Sequence, residues 1–147
     1  MGADRAKTLT GAQPPDAPEL DNASTFLAAA GLRLTHVAAD RVEGVIDLGP
    51  AHHTPWGVVH GGVYTTAVES AASVGATAAV ADRGQIAVGT NNNTDFLRSM
   101  TTGTVAVSAA PVQQGRTQQL WEVCITDQSG RLVARGTVRL QNIQPRQ

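Results

Sequence analysis

The chain has 147 residues, 41% of them apolar and 16% charged, with 11 Lys and Arg against 12 Asp and Glu for a formal charge of −1. That is the size of one domain with a hydrophobic core, and it is too apolar for a mostly disordered chain. The balanced charge excludes the concentrated positive field of a nucleic-acid or anionic-membrane surface, and five aromatic residues are too few for a base-stacking platform.

The single cysteine, Cys124, excludes an internal disulfide framework and a multi-cysteine zinc site. It lies in an alternating run and reads as a buried, inert thiol. No apolar stretch reaches the roughly 20 residues that span a bilayer, because the run Val58 to Ala81 is broken by His60, threonines, Glu69 and serines. Residues 1–20 include a stretch rich in Ala, Pro and charge with no apolar signal core. They are expected to form a flexible segment ahead of one domain over 21–147, in a cytoplasmic protein.

Asp21-Asn22-Ala23-Ser24 offers helix caps, Thr25 to Ala30 reads as a short amphipathic helix, and Gly31 is its stop. Leu32 to Val37 looks extended. In Arg41 to Leu48, Val42, Gly44, Ile46 and Leu48 alternate with Arg41, Glu43 and Asp47, the period of a half-buried strand. Gly49-Pro50 breaks that element, and a loop holding His52, His53, Thr54, Pro55 and Trp56 follows.

From Gly61-Gly62 to about Ala81 the chain is mostly Ala and Val, too long for an ordinary strand, with Asp82-Arg83-Gly84 as its stop. Thr65, Glu69, Ser73 and Thr77 recur every four residues, forming one polar stripe on an otherwise apolar helix. Such a helix is buried, and a carboxylate in its middle requires a reason. Four strand-like runs follow. They are Gln85 to Val88 continuing through Asn91-Asn92-Asn93 towards Phe96 and Leu97, then Thr104 to Val112, Thr117 to Thr126, and Arg131 to Gln141 after the hairpin turn Asp127 to Gly130. The predicted fold is α+β: an antiparallel sheet wrapped around one long central helix, with a short N-terminal helix.

The segment Gly57-Val58-Val59-His60-Gly61-Gly62, with Glu69 nine residues after the histidine, resembles the hotdog-fold acyl-CoA thioesterases of the PaaI-like type. The strand from Asn91 to Arg98 and the turn Gly115-Arg116-Thr117 resemble their 4-hydroxybenzoyl-CoA thioesterase branch. The element order matches along nearly the whole chain after about residue 20. The resemblance implies an acyl-CoA thioesterase acting on a small aromatic or medium-chain acyl-CoA, without metal or other cofactor. It also implies paired helices in a dimer of dimers, each site using Gly61 of one subunit and Glu69 of its neighbour. A non-catalytic hotdog that binds acyl-CoA or acyl-carrier protein is the alternative; a hotdog dehydratase fits the placement of Glu69 less well.

The chemistry of these residues stands beside the resemblance. A helix N-terminus presents unpaired N–H groups and the positive end of the macrodipole, and glycine there admits a close ligand. A thioester carbonyl against the Gly61 N–H would be polarised, with Glu69 attacking it or activating a water. Ser73 and Thr65, a turn to either side, are candidates to hold the Glu69 carboxylate. His60 reads as an orienter of the motif or as a direct participant. The family commonly has Asn or Gln six residues before this histidine; Thr54 stands there instead, a candidate for the polarising position. Its hydroxyl can still hydrogen-bond but has a shorter reach and lacks the amide's paired donor and acceptor, with adjacent His53 a candidate to compensate.

Tyr64, Val68 and Phe96 are expected to wall the acyl tunnel. Asn91 to Asn93 read either as solvated strand residues or as substrate contacts, with Asn92 the expected contact. Arg98 and Arg116, beside Thr117, are candidates for the CoA phosphates, because guanidinium forks match phosphate geometry. His52, His53 and His60 lack a carboxylate at ligand spacing, so no metal site is expected.

Overall fold

The structure, a computed structural model, describes residues 17–147. Most of the expected flexible segment 1–20 lies outside the described residues; of the remainder, Ala17 and Leu20 pack against the core. Helix α1 (Thr25–Ala30) starts where the Ser24 side chain accepts the Leu27 N–H at 3.2 Å. It ends at Gly31, whose φ of 80° lets its N–H turn back to the Leu27 carbonyl. Strands β1 (Arg33–Ala38) and β2 (Arg41–Leu48) follow, then helix α2 (Gly61–Val80). Strands β3 (Ile86–Phe96), β4 (Gly103–Gln114), β5 (Gln118–Thr126) and β6 (Leu132–Ile143) complete the domain.

The six strands form one sheet in the order β1-β2-β4-β5-β6-β3, with every pairing antiparallel. The expected architecture is therefore the observed one, with α2 packed against the sheet. The inward rows are those the alternation predicts: Val42, Ile46 and Leu48 on β2, Val105, Val107 and Ala109 on β4, Trp121, Val123 and Ile125 on β5, Val138 and Leu140 on β6. Small residues on α2 (Ala67, Ala71, Ala72, Gly75, Ala76) let the helix approach this surface closely. A Cβ at Gly75 would overlap the Trp121 ring. One at Gly136 would lie 2.7 Å from Val68 Cγ1. Val68 is thus a core residue with no exposure, not a tunnel wall.

The boundaries differ from expectation where the ladders are irregular. Strand β4 runs to Gln114 through a bulge between Pro111 and Gln113 that leaves Val112 exposed. Proline has no N–H for the ladder, and bulges are where a strand tolerates it. Helix α2 stops at Val80, and its last turn tightens into the 3-10 turn Ala81–Arg83 before Gly84 reverses the chain at φ 66°. Cys124 is half-buried rather than buried. Desolvation, with Glu122 adding to it, pushes its pKa up, which keeps the thiol neutral.

The bulge with the largest effect is in β3, between Gly89 and Asn91. Before it, Ala87 and Gly89 face the helix. The extra residue, Thr90, turns its hydroxyl to the Arg139 carbonyl, and beyond it the inward positions become Asn92 and Thr94.

Candidate active site

The approach to α2 is a fixed loop. Thr54-Pro55-Trp56-Gly57 is a tight turn with its Gly57 N–H on the Thr54 carbonyl at 3.0 Å; proline takes the second position and glycine, at φ 79°, the fourth. The Thr54 N–H returns to Val58 O at 2.7 Å, and Trp56 stands at the tip, 85% exposed. His52 Nε2 lies 2.8 Å from Ala29 O and His53 Nε2 2.6 Å from Thr101 O, so both rings brace the loop against backbone carbonyls.

His60 is the N-cap of α2. Its Nδ1 accepts the Gly62 N–H at 2.8 Å, which makes it an orienter of the helix start. The Gly61 N–H has no acceptor among the described residues. It opens on a cavity of about 240 Å³ lined by Val59, Gly61, Tyr64, Phe96, Leu97, Arg98 and Ser99. The Phe96 ring lies directly on Gly61: a Cβ there would be 2.6 Å from its Cε2. Tyr64 meets the same ring with centroids 6.2 Å apart. It is 2% exposed, and its hydroxyl has no hydrogen-bond partner among the described residues. Burial raises its pKa, so the phenol keeps its proton. Arg98 lines the same cavity, with its main-chain N–H on Val133 O.

Two turns along α2, Glu69 is half-buried against β3. Its Oε2 accepts the Asn92 amide at 3.0 Å, and its other oxygen lies so close to Gly89 that a Cβ there would overlap it. It forms no ion pair among the described residues. The polar stripe turns out to be the side of α2 that lies along β3. Thr77 accepts the Ala87 N–H at 3.1 Å, Glu69 meets Gly89 and Asn92, and the Thr65 carbonyl accepts from Asn92 at 3.2 Å. The hydroxyls expected to hold the carboxylate do not do so. Thr65 Oγ donates to Gly61 O at 3.2 Å, and Ser73 makes no hydrogen bond to Glu69; an amide from the neighbouring strand replaces them.

The chain brings together Gly61, Tyr64, Phe96 and Arg98 at one end of α2. It leaves two other predicted residues elsewhere. Thr54 is absent from the cavity lining, its Oγ accepting the Trp56 N–H at 3.3 Å. Arg116 and Thr117 lie at the far end, where the Asn142 side chain bonds the Gly115 and Arg116 carbonyls and its N–H bonds Thr117 O. A buried network anchors that turn to the helix: Gln119 donates to Ala76 O and to Asn142 Oδ1, each at 2.9 Å, and accepts from the Trp121 indole at 2.8 Å. Gly89, Thr94 and this network were not anticipated. For Gly89 the one signal was a glycine inside a strand pattern, which marks a bulge or a close approach.

Gly61 and Glu69 are eight residues apart on one straight helix, about 12 Å by helical rise. Chemically this is a donor at a helix N-terminus and an uncompensated carboxylate, each beside a strand that forms a sheet edge.

Residues 57–134 match the family model described as the thioesterase superfamily. The chain belongs to the thioesterase superfamily. It is 45% identical over 135 residues to Rv1847 of Mycobacterium tuberculosis, whose name calls it an esterase, covering 90% of this chain and 96% of that one. The solved structure of Rv1847 superposes with a TM-score of 0.80 at 46% identity, over 84% of this chain and all of the other. A second solved structure, AziG of S. sahachiroi, gives a TM-score of 0.78 at 39% identity, over 82% and 97% of the two chains. The proofreading thioesterase EntH of Klebsiella pneumoniae is 31% identical over 108 residues, 74% of this chain and 78% of EntH. The fold is thus the hotdog fold of this superfamily, and the chain is a thioester hydrolase.

Proposed function

We propose that the chain hydrolyses an acyl-CoA, carrying a small aromatic or medium-length acyl group, to the free acid and CoA in the cytoplasm. The observation that carries this reading is the pairing on α2 of an acceptor-free Gly61 N–H at a cavity wall with the uncompensated carboxylate of Glu69. The Gly61 N–H and the helix dipole polarise the thioester carbonyl and stabilise the oxyanion. Glu69 then attacks that carbon, forming an anhydride and expelling the CoA thiolate, or deprotonates a water that attacks it. Because about 12 Å of helix separates the two groups, one thioester takes its donor from one copy and its carboxylate from a second, related by a two-fold axis. The free edge of β3, paired on one side only, supports this pairing, and a dimer of dimers is the assembly proposed. Arg98, at the cavity, is the better placed cation for a CoA phosphate; Arg116, at the far end of α2, is the second candidate.

Thiol release from acetyl- to palmitoyl-CoA plus benzoyl-, phenylacetyl- and 4-hydroxybenzoyl-CoA tests this, comparing wild type with Glu69→Ala. Turnover that disappears in Glu69→Ala is the expected result. The position of Thr54, engaged in its own turn, favours the second reading of a binding protein. In that case CoA esters raise the melting temperature of the wild type and none is cleaved.

A further inference from the structure

We infer that Asn92 is the positioning residue of Glu69, and not a contact for substrate; this rests on the proposed role of Glu69. The β3 bulge at Thr90 aims Asn92 at the helix, and its amide there has three partners. Nδ2 donates to the Thr65 carbonyl at 3.2 Å and to Glu69 Oε2 at 3.0 Å, while Oδ1 accepts the Thr94 hydroxyl at 2.7 Å. The orientation of the amide follows from these partners: a carbonyl and a carboxylate both accept, so the NH2 must face them. Its two hydrogens are then both committed, and none remains for a thioester.

The carboxylate is pinned between this amide on one oxygen and the bare Cα of Gly89 beside the other. No cation performs this duty, because Glu69 has no ion-pair partner on α2, β3 or elsewhere among the described residues. Thr65 carries the tie further, since its hydroxyl donates to the carbonyl of Gly61. One chain of hydrogen bonds therefore runs from Thr94 through Asn92 to the carboxylate and to the first turn of α2. A carboxylate held in one rotamer reaches its target without a search, and a displacement near 1 Å lowers the rate by up to about 100-fold.

The test is steady-state hydrolysis of the best acyl-CoA by wild type, Asn92→Ala, Asn92→Asp and Thr94→Val, with melting temperatures. Asn92→Ala is expected to lower kcat by about 10- to 100-fold with KM within about 2-fold. Thr94→Val keeps the amide but frees its orientation, and a smaller fall in kcat follows.

Asn92→Asp supplies a readout that loss of packing alone does not move. At acid pH the introduced carboxyl is protonated and donates to Glu69 as the amide does. At higher pH the introduced carboxyl ionises, the donor is lost, and the rate falls relative to the wild type at the same pH. An unchanged kcat with a raised KM in Asn92→Ala makes Asn92 a substrate contact and overturns the inference. So does an Asn92→Asp profile parallel to wild type. If Asn92→Ala does not fold, Thr94→Val with undiminished kcat overturns it instead. Wild type inactive on every CoA ester overturns the hydrolase reading and this role with it; wild type active with Asn92→Ala equally active overturns this role alone.

Discussion

Glu69 is seated by an amide on one side and by a missing side chain on the other. Gly89 has no unusual backbone angle, so alanine there strains nothing but the carboxylate it meets. Gly89→Ala is accordingly expected to melt within a few degrees of wild type while kcat falls at least about 10-fold, since the flexible carboxylate yields before the strand does. Tyr64 presents the opposite case, a buried hydroxyl that nothing in its own chain satisfies among the described residues. An unpaired buried hydroxyl costs about 1–3 kcal/mol, so Tyr64→Phe is expected to raise the melting temperature by a few degrees. A lower melting temperature would mean that the assembled protein supplies a partner.

At this scale the sequence exposed what depends on spacing. Gly61, His60, Glu69 and Tyr64 follow from a glycine pair, a cap and a helical period. Asn92 does not follow. Three consecutive asparagines carry no sign of which one faces inward until Thr90 is known to be a bulge. Nor does spacing show that Thr54 spends its hydroxyl on its own turn.

Among the elements, alternation located β2, β4, β5 and β6 to within two residues, because each buries one face against α2 and the period is then written in apolar residues. The ends were less legible where a bulge carried the ladder onward, as at Pro111. The stripe on α2 was visible as a period, but its neighbour was not: it lies along β3, which follows the helix in sequence and sits at the far edge from β1. The β5–β6 turn shows local chemistry that the sequence did announce. Asp127 accepts the Arg131 N–H at 3.0 Å and the Ser129 N–H at 2.9 Å, and these bonds, the one from Arg131 first, hold its carboxyl below the usual range. A carboxyl with a lowered folded pKa stabilises above the unfolded pKa, about 4, and loses that contribution as pH falls through the folded value. Asp127→Ala should therefore melt lower than wild type at pH 7, and the difference should narrow in melts towards pH 3.

For the whole molecule the decisive quantity is the length of helix between Gly61 and Glu69. If each site draws one group from each of two copies, two inactive variants complement one another. Glu69→Ala supplies a sound Gly61, and Gly61→Val, whose side chain meets the Phe96 ring, supplies a sound Glu69. Co-unfolded and refolded at 1:1, half of the dimers are mixed and half of their sites intact, giving about a quarter of wild-type activity. Activity no greater than that of the separate variants would place both groups in one chain.

The close seating of α2 on the sheet has a consequence for how this fold tolerates change. Gly75 leaves room for the Trp121 ring, and Gly136 for Val68 and Thr94. Neither lines the cavity nor touches Glu69. A survey of all single substitutions scored by growth or turnover would nonetheless mark both as severely as Glu69, the carboxylate proposed to react. Repeating that survey with protein abundance as the score would part the two groups: variants at Gly75 and Gly136 vanish from the cell, whereas those at Glu69 accumulate in full and do nothing.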